Sequence, residues 1–254
     1  MPRALPKTAS AIQFLLIAAM PAAALADNFT IDGNSGNAQT LASGQTGTVS
    51  AAGALTVSGS TVAVTVAGSN VTLNNLGAIK QTGTGRVIRD NSGAQALVIN
   101  NGAAGNSSAL MQSADADVIQ MNVKGASVTL NNYGVMISSN ASAGGAQVVD
   151  FNAITTGANV VNNYAGAQII AYEADAVRTG VNGVVNNSGM IRSVAATGGG
   201  SDGIDAQNAS GAKISNLGGG VIEGAGTASL AARKRLARCS RSTFPTALAV
   251  SSVA

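Results

Sequence analysis

Histidine and tryptophan are missing from this chain of 254 residues, cysteine occurs once, and aromatic residues make up only 3% of it. Without histidine neither a Ser-His-Asp nor a Cys-His nucleophile can be assembled, and with a single thiol the common zinc ligand sets are excluded too. Few rings also means little bulk for a thick, compact core. Charge is scarce: Asp, Glu, Lys and Arg together reach 10%, against roughly 25% in an average soluble domain, so expansion by self-repulsion is not expected. What fills the chain instead is 32 Gly, with abundant Ala, Ser, Thr and Asn.

The formal charge of +3 is unevenly placed. Arg3 and Lys7 give residues 1–26 a charge of +2, and Arg233, Lys234, Arg235, Arg238 and Arg241 give the last thirty residues +5. Residues 27–224 hold seven basic and all eleven acidic side chains, a balance of −4. The basic excess belongs to the ends; Arg233 to Arg241 would suit nucleic acid or anionic lipid, but an exported chain rarely meets nucleic acid and no aromatic accompanies these charges, so no nucleic-acid partner is expected.

Residues 1–26 carry the plan of a cleaved secretory signal peptide: Arg3 and Lys7, an apolar run from Ala11 to Met20, and Ala24-Leu25-Ala26 as the small-x-small site. The run is too short to span the hydrocarbon core as a helix. The expected address is therefore the periplasm, the cell surface at the outer membrane, or the medium. Cys239 falls in the basic tail, so the exported body has no disulfide to lean on. Residues 225–254 break the pattern of the body and read as a disordered basic tail, of the kind a shifted frame or a truncated gene leaves.

Between the ends lies a repeat. The phrase apolar-x-apolar-Asn-Asn-x-Gly-x-apolar is clean at Val71–Ile79 and Val128–Met136 and looser elsewhere. It places Asn74 and Asn75, Asn100 and Asn101, Asn131 and Asn132, Asn162 and Asn163, and Asn186 and Asn187 in equivalent slots, with Ser215-Asn216 as the last copy, at spacings of 24 to 31 residues. Each period holds two more short alternating runs, one such as Asp117-Val118-Ile119-Gln120 ahead of the phrase and one such as Met136-Ile137-Ser138 after its Gly. β-Branched residues alternate with polar ones throughout and helical periodicity is absent. Three short strands per period, with no long connection, predict an all-β chain: a right-handed parallel β-helix of about seven coils over residues 27–224, with residues 27–41 starting or capping it. The Asn pairs are expected at the corners, tolerating left-handed backbone angles and hydrogen-bonding from coil to coil.

On its signal peptide, its Asn-Asn-x-Gly-x-Ile phrases at 74–79 and 186–191, and its cysteine-free body, the sequence resembles the passenger region of bacterial autotransporters. The resemblance covers residues 1–224 and implies a β-helix displayed at the cell surface, serving in adhesion or aggregation, with surface glycans or other cells as partners and self-association among its modes. That family carries its passenger across the outer membrane with a carboxyl-terminal β-barrel, and the strands of about ten residues that such a barrel needs are not found in this chain.

No catalytic residue, cofactor or metal ligand is assigned from the sequence. β-Helices also host polysaccharide lyases, and a site of that kind, or one for calcium, would rest on Asp175 and Asp202, which precede equivalent strands on adjacent coils, with Arg178 and Asp205 nearby. Both aspartates stand in turn-like surroundings that use Asp for backbone reasons alone. Asp115 and Asp117 read as a solvated turn. Tyr133 and Tyr164 share one slot after the Asn pair and read as corner packing, with a sugar-stacking platform as the alternative. The leading expectation is an adhesin-like display scaffold; the others are a lyase-like enzyme and a nonfunctional autotransporter fragment.

Overall fold

The computed structural model describes residues 29–139, 145–194 and 201–225. The leader, Cys239 and the basic tail beyond Ala225 lie outside them, as do the expectations attached to those segments. Among the described residues there are twenty-three strands and no helix. They form three parallel sheets of eight, eight and seven strands, and in each sheet every third strand of the sequence is the next neighbour. The chain is a parallel β-helix of eight coils, the last with two described strands, standing about 34 Å tall at the inter-strand spacing.

The first sheet runs from Phe29–Ile31 to Lys213–Asn216, the second from Asn34–Ser35 to Val221–Glu223, and the third from Gln39–Leu41 to Ile204–Asp205. The extra coil beyond the expected seven is Phe29–Leu41, a complete turn with a strand in every sheet. The segment expected to start or cap the helix thus begins it as a full coil. Its Phe29 ring fills the space above Gly47.

Alternation decides what goes inside. In the first sheet Leu73, Ile99, Leu130, Val161 and Val185 stack in register, and all are buried. The second sheet adds Leu55, Ile79, Met111, Met136, Ile169 and Ile191, and the third Val64, Ile88, Ile119, Val149 and Val177. The core is therefore a thin aliphatic column shared by all three sheets, which a chain nearly free of rings can fill.

The Asn pairs lie within strands, closing Thr72–Asn75, Leu97–Asn101, Val128–Asn132, Asn159–Asn163 and Val184–Asn187. Left-handed backbone angles among non-glycine residues fall instead at Asn70, Ala96 and Asn182, two residues ahead of Thr72, Val98 and Val184, at the corner entering the first sheet. The expectation that the pairs turn the corner by their φ angles is thus corrected. Two consecutive residues of an extended strand face opposite sides, so one Asn of each pair points in and the other out.

The inward members Asn75, Asn101, Asn132, Asn163, Asn187 and Asn216 form one amide ladder, each Nδ2 donating to the next Oδ1 at 2.8 Å. The second N–H of Asn75, Asn101, Asn132 and Asn163 donates across the corner to the carbonyls of Leu110, Val135, Gln168 and Met190, at 3.0–3.1 Å. The outward members form a second ladder of opposite sense: Asn100 donates to Asn74, Asn131 to Asn100, Asn162 to Asn131 and Asn186 to Asn162, at 2.8–2.9 Å. The inner ladder begins under Val49, which offers no donor, so Asn75 Oδ1 is buried without a partner.

Candidate functional site

Two polar columns mark the third sheet. Its outward residues Thr65, Arg89, Gln120, Asp150, Arg178 and Asp205 stand in register. Two residues ahead of each strand, at the corner leading in, stand Arg86, Asp117, Gln147, Asp175 and Asp202. With Asp115 and Glu173 on the same corner, this side carries seven of the ten described acidic residues and three arginines, Arg86, Arg89 and Arg178. The formal charge of the body is concentrated on one face.

Asp117 is the deepest of these acids, 5% exposed. It accepts hydrogen bonds from the Gln147 N–H (2.8 Å) and Gln120 Nε2 (3.0 Å), and its Oδ2 lies 3.4 Å from Arg86 Nε. Burial pushes the Asp117 carboxyl above the usual range and the Asp150 charge adds to the rise, against the Gln147 N–H and the Arg86 charge. A polar groove of about 400 Å³ opens beside it, lined by Thr84, Arg86, Asp115, Gln120, Gln147 and Asp150 among others. Arg86 Nε, Arg89 Nε and Gln120 Oε1 are buried there and on the adjoining sheet without hydrogen-bond partners. The solvated-turn reading holds for Asp115, which is exposed, and fails for Asp117. Arg86 occupies the slot of Asp117 one coil earlier and supplies the counter-charge that lets a carboxylate be buried.

Asp175 and Asp202 come together as their spacing implied. The Asp202 N–H donates to Asp175 Oδ1 at 2.7 Å, and Arg178 Nε lies 3.9 Å from Asp175 Oδ2 and 3.3 Å from Asp205 Oδ2. The Asp175 carboxyl is raised by burial and by the charges of Asp205 and Asp202, against the Asp202 N–H and Arg178; burial and Asp205 raise Asp202. Among the described residues no group of three or more acidic, Cys or His side chains is disposed to hold a metal ion. The guanidinium of Arg178 sits where a cation would bridge Asp175 and Asp205, and it offsets part of the negative charge of the three aspartates. The Arg86–Asp117 pair was readable from the alignment of Arg86-Val87-Ile88 with Asp117-Val118-Ile119; what one sequence does not carry is the depth of that slot.

Tyr133 and Tyr164, on neighbouring coils, stack with centroids 4.0 Å apart and planes within 5°. A hydrogen bond between the side chains, with some burial, raises the Tyr164 phenol above its ordinary range.

Three raised carboxyls on one face set the sign of a pH effect. Each binds its proton more tightly in the folded chain than in the unfolded one, where an aspartate titrates near pH 3.9. The folded state therefore holds extra protons between the unfolded and folded pKa values, and stability falls as pH rises through that window. Urea midpoints are expected to decline from pH 4 towards neutrality, and the Asp117→Asn variant to lose part of that decline. A midpoint rising over this range, unchanged by the substitution, contradicts it.

No protein-family model, no curated protein and no solved structure matches the chain.

Proposed function

We propose that this chain is an exported display scaffold of the adhesin-like passenger type, and that its contact surface is the charged face of the third sheet. The observation that carries the reading is the segregation of charge: core and amide ladders serve the backbone, while arginines, carboxylates and Gln120 line one face beside an open polar groove. Such side chains in fixed array suit the hydroxyls of a saccharide, which needs donors and acceptors alternating along a surface. Seven acids against three arginines disfavour acidic polymers, so the expected partners are neutral or amine-bearing surface glycans.

Binding of the purified chain to a glycan array and to whole cells tests this. Arg89→Ala and Asp150→Asn are expected to weaken binding roughly tenfold while the strand-type circular dichroism spectrum stays unchanged, because both side chains leave the outer face of the sheet. Thr129→Ala on the first sheet leaves binding unchanged. Equal binding by all three variants removes the third sheet from the interaction.

The raised carboxyls of Asp175 and Asp202 favour a second reading, a carbohydrate-active enzyme of lyase type, and the acidic face argues against its usual acidic substrates. Release of reducing ends that stops in Asp202→Asn would replace the scaffold reading.

A further inference from the structure

The corners between the first and second sheets differ in length from coil to coil. On coil six the four residues 164–167 join Asn159–Asn163 to Gln168–Ala171, and on coil eight the four residues 217–220 join Lys213–Asn216 to Val221–Glu223. Coil seven, between them, turns in two, Ser188 and Gly189. A short corner between two long ones leaves a notch one coil wide with Ser188 at its floor. The residues that open these corners are in register, because the N–H groups of Tyr164, Ser188 and Leu217 each donate to the carbonyl of the inward Asn one coil earlier, at 2.7–2.9 Å.

One wall of the notch is aromatic. Tyr164 stacks on Tyr133 of coil five through one face, so its other face is turned along the coil axis toward Ser188, whose side chain is too short to cover it. The opposite wall is Leu217, 50% exposed, two ladder steps or about 9.6 Å from the Tyr164 coil. A flat ring touching both walls needs about 7–8 Å, so the notch takes one ring and not two. The far end of the tyrosine pair offers no such place. Coil four carries the buried Gly102 in this slot, and its corner folds back so that Asn106 Nδ2 donates to the Leu76 carbonyl at 3.1 Å.

The rim of the notch is polar. The outward amide ladder stops at Asn186, because Ser215 stands in register with it on coil eight, so Asn186 Oδ1 lacks the amide donor that Asn74, Asn100, Asn131 and Asn162 each receive. The part-exposed Ser188 hydroxyl follows two residues on. An aromatic face with an acceptor and a hydroxyl at its edge matches a pyranose, whose faces carry C–H groups and whose rim carries hydroxyls; a purely aromatic ring would use the walls and leave the rim to water. We infer that the notch over Ser188 is a saccharide site in its own right, holding one pyranose ring against Tyr164 with its hydroxyls on Asn186 and Ser188. It lies on a different corner from the charged third sheet and does not depend on what that face binds.

Saturation-transfer NMR of the purified chain with methyl β-glucoside and methyl β-galactoside is expected to show saturable binding of at least one of them, in the millimolar range that a single small ring allows. In the Arg89→Ala chain, where the third-sheet face contributes little, Tyr164→Ala is expected to weaken the remaining binding roughly tenfold and Ser188→Tyr to abolish it. Ser188→Tyr fills the notch with the side chain that coils five and six already carry in this slot, so the fold is kept, and an unchanged strand-type circular dichroism spectrum verifies this. Tyr172→Ala, at an exposed tyrosine on another corner, leaves binding unchanged. Saturable binding of neither glycoside overturns the inference, as does binding that survives Ser188→Tyr or is abolished by Arg89→Ala alone, which assigns it to the third sheet. Binding of benzyl alcohol without either glycoside makes the notch a site for aromatic rings and overturns the saccharide assignment.

Discussion

Replacing Asn132 by alanine is expected to lower stability by about 3–5 kcal/mol, read as a shift of the urea midpoint, whereas Asn131→Ala, one residue away, costs about 1 kcal/mol or less. Asn132 is fully buried, accepts from Asn101 Nδ2, and donates to Asn163 Oδ1 and the Gln168 carbonyl. Truncation leaves a donor and two acceptors without partners in a dry column, and each such group costs about 1–3 kcal/mol, part of which local relaxation recovers. Asn131 is part-buried and belongs to the outward ladder, where water can take over both of its amide bonds. Similar small losses for the two variants would mean that water reaches the inner ladder.

Gly134→Ala is expected to cost about 3 kcal/mol or more and to lower the thermal midpoint by about 6–12 °C. A Cβ there would lie 2.2 Å from the Ala109 carbonyl oxygen and 3.0 Å from its carbon, a collision with backbone that no rotamer change relieves. The coils would have to part at the point where Val135 N donates to Ala109 O at 2.8 Å. Gly134 and its equivalents Gly77 and Gly189 follow the second Asn of the pair by two residues, where a two-residue corner brings the chain close to the coil beneath. Gly166→Ala makes the same chemical change at a left-handed position, φ +80°, with nothing within 4 Å, and is expected to cost about 1–2 kcal/mol. Comparable losses would show that backbone angle, and not contact between coils, sets the demand for glycine in the repeat.

Much of this architecture was legible because a solenoid writes its fold into its period. The Asn-Asn-x-Gly phrase gave the register of the first sheet, and the runs beginning at Arg86, Asp117, Gln147, Asp175 and Asp202 fall two residues ahead of third-sheet strands. Asp175 and Asp202 were placed as neighbours by that periodicity alone. The roles of individual residues were less legible. An Asn pair is equally good currency for a corner and for a strand edge, and only burial separates the inward Asn132 from the outward Asn131. Asp117 sits in a turn-like context, yet Arg86 on the preceding coil and the Gln147 N–H on the next draw it under the surface. Both misreadings have one origin: local sequence specifies backbone, while depth is set by neighbours 24 to 31 residues away.

The opposed sense of the two amide ladders bears on how long such a rod can grow. In an α-helix every peptide dipole points the same way, and the ends acquire partial charges. Here the inward amides aim their N–H groups toward the carboxyl-terminal coils and the outward amides aim theirs back, so the moments cancel step by step. Coils added to this spine bring hydrogen bonds without polarising it, and neither tip develops a field that would attract counter-ions or resist the next coil.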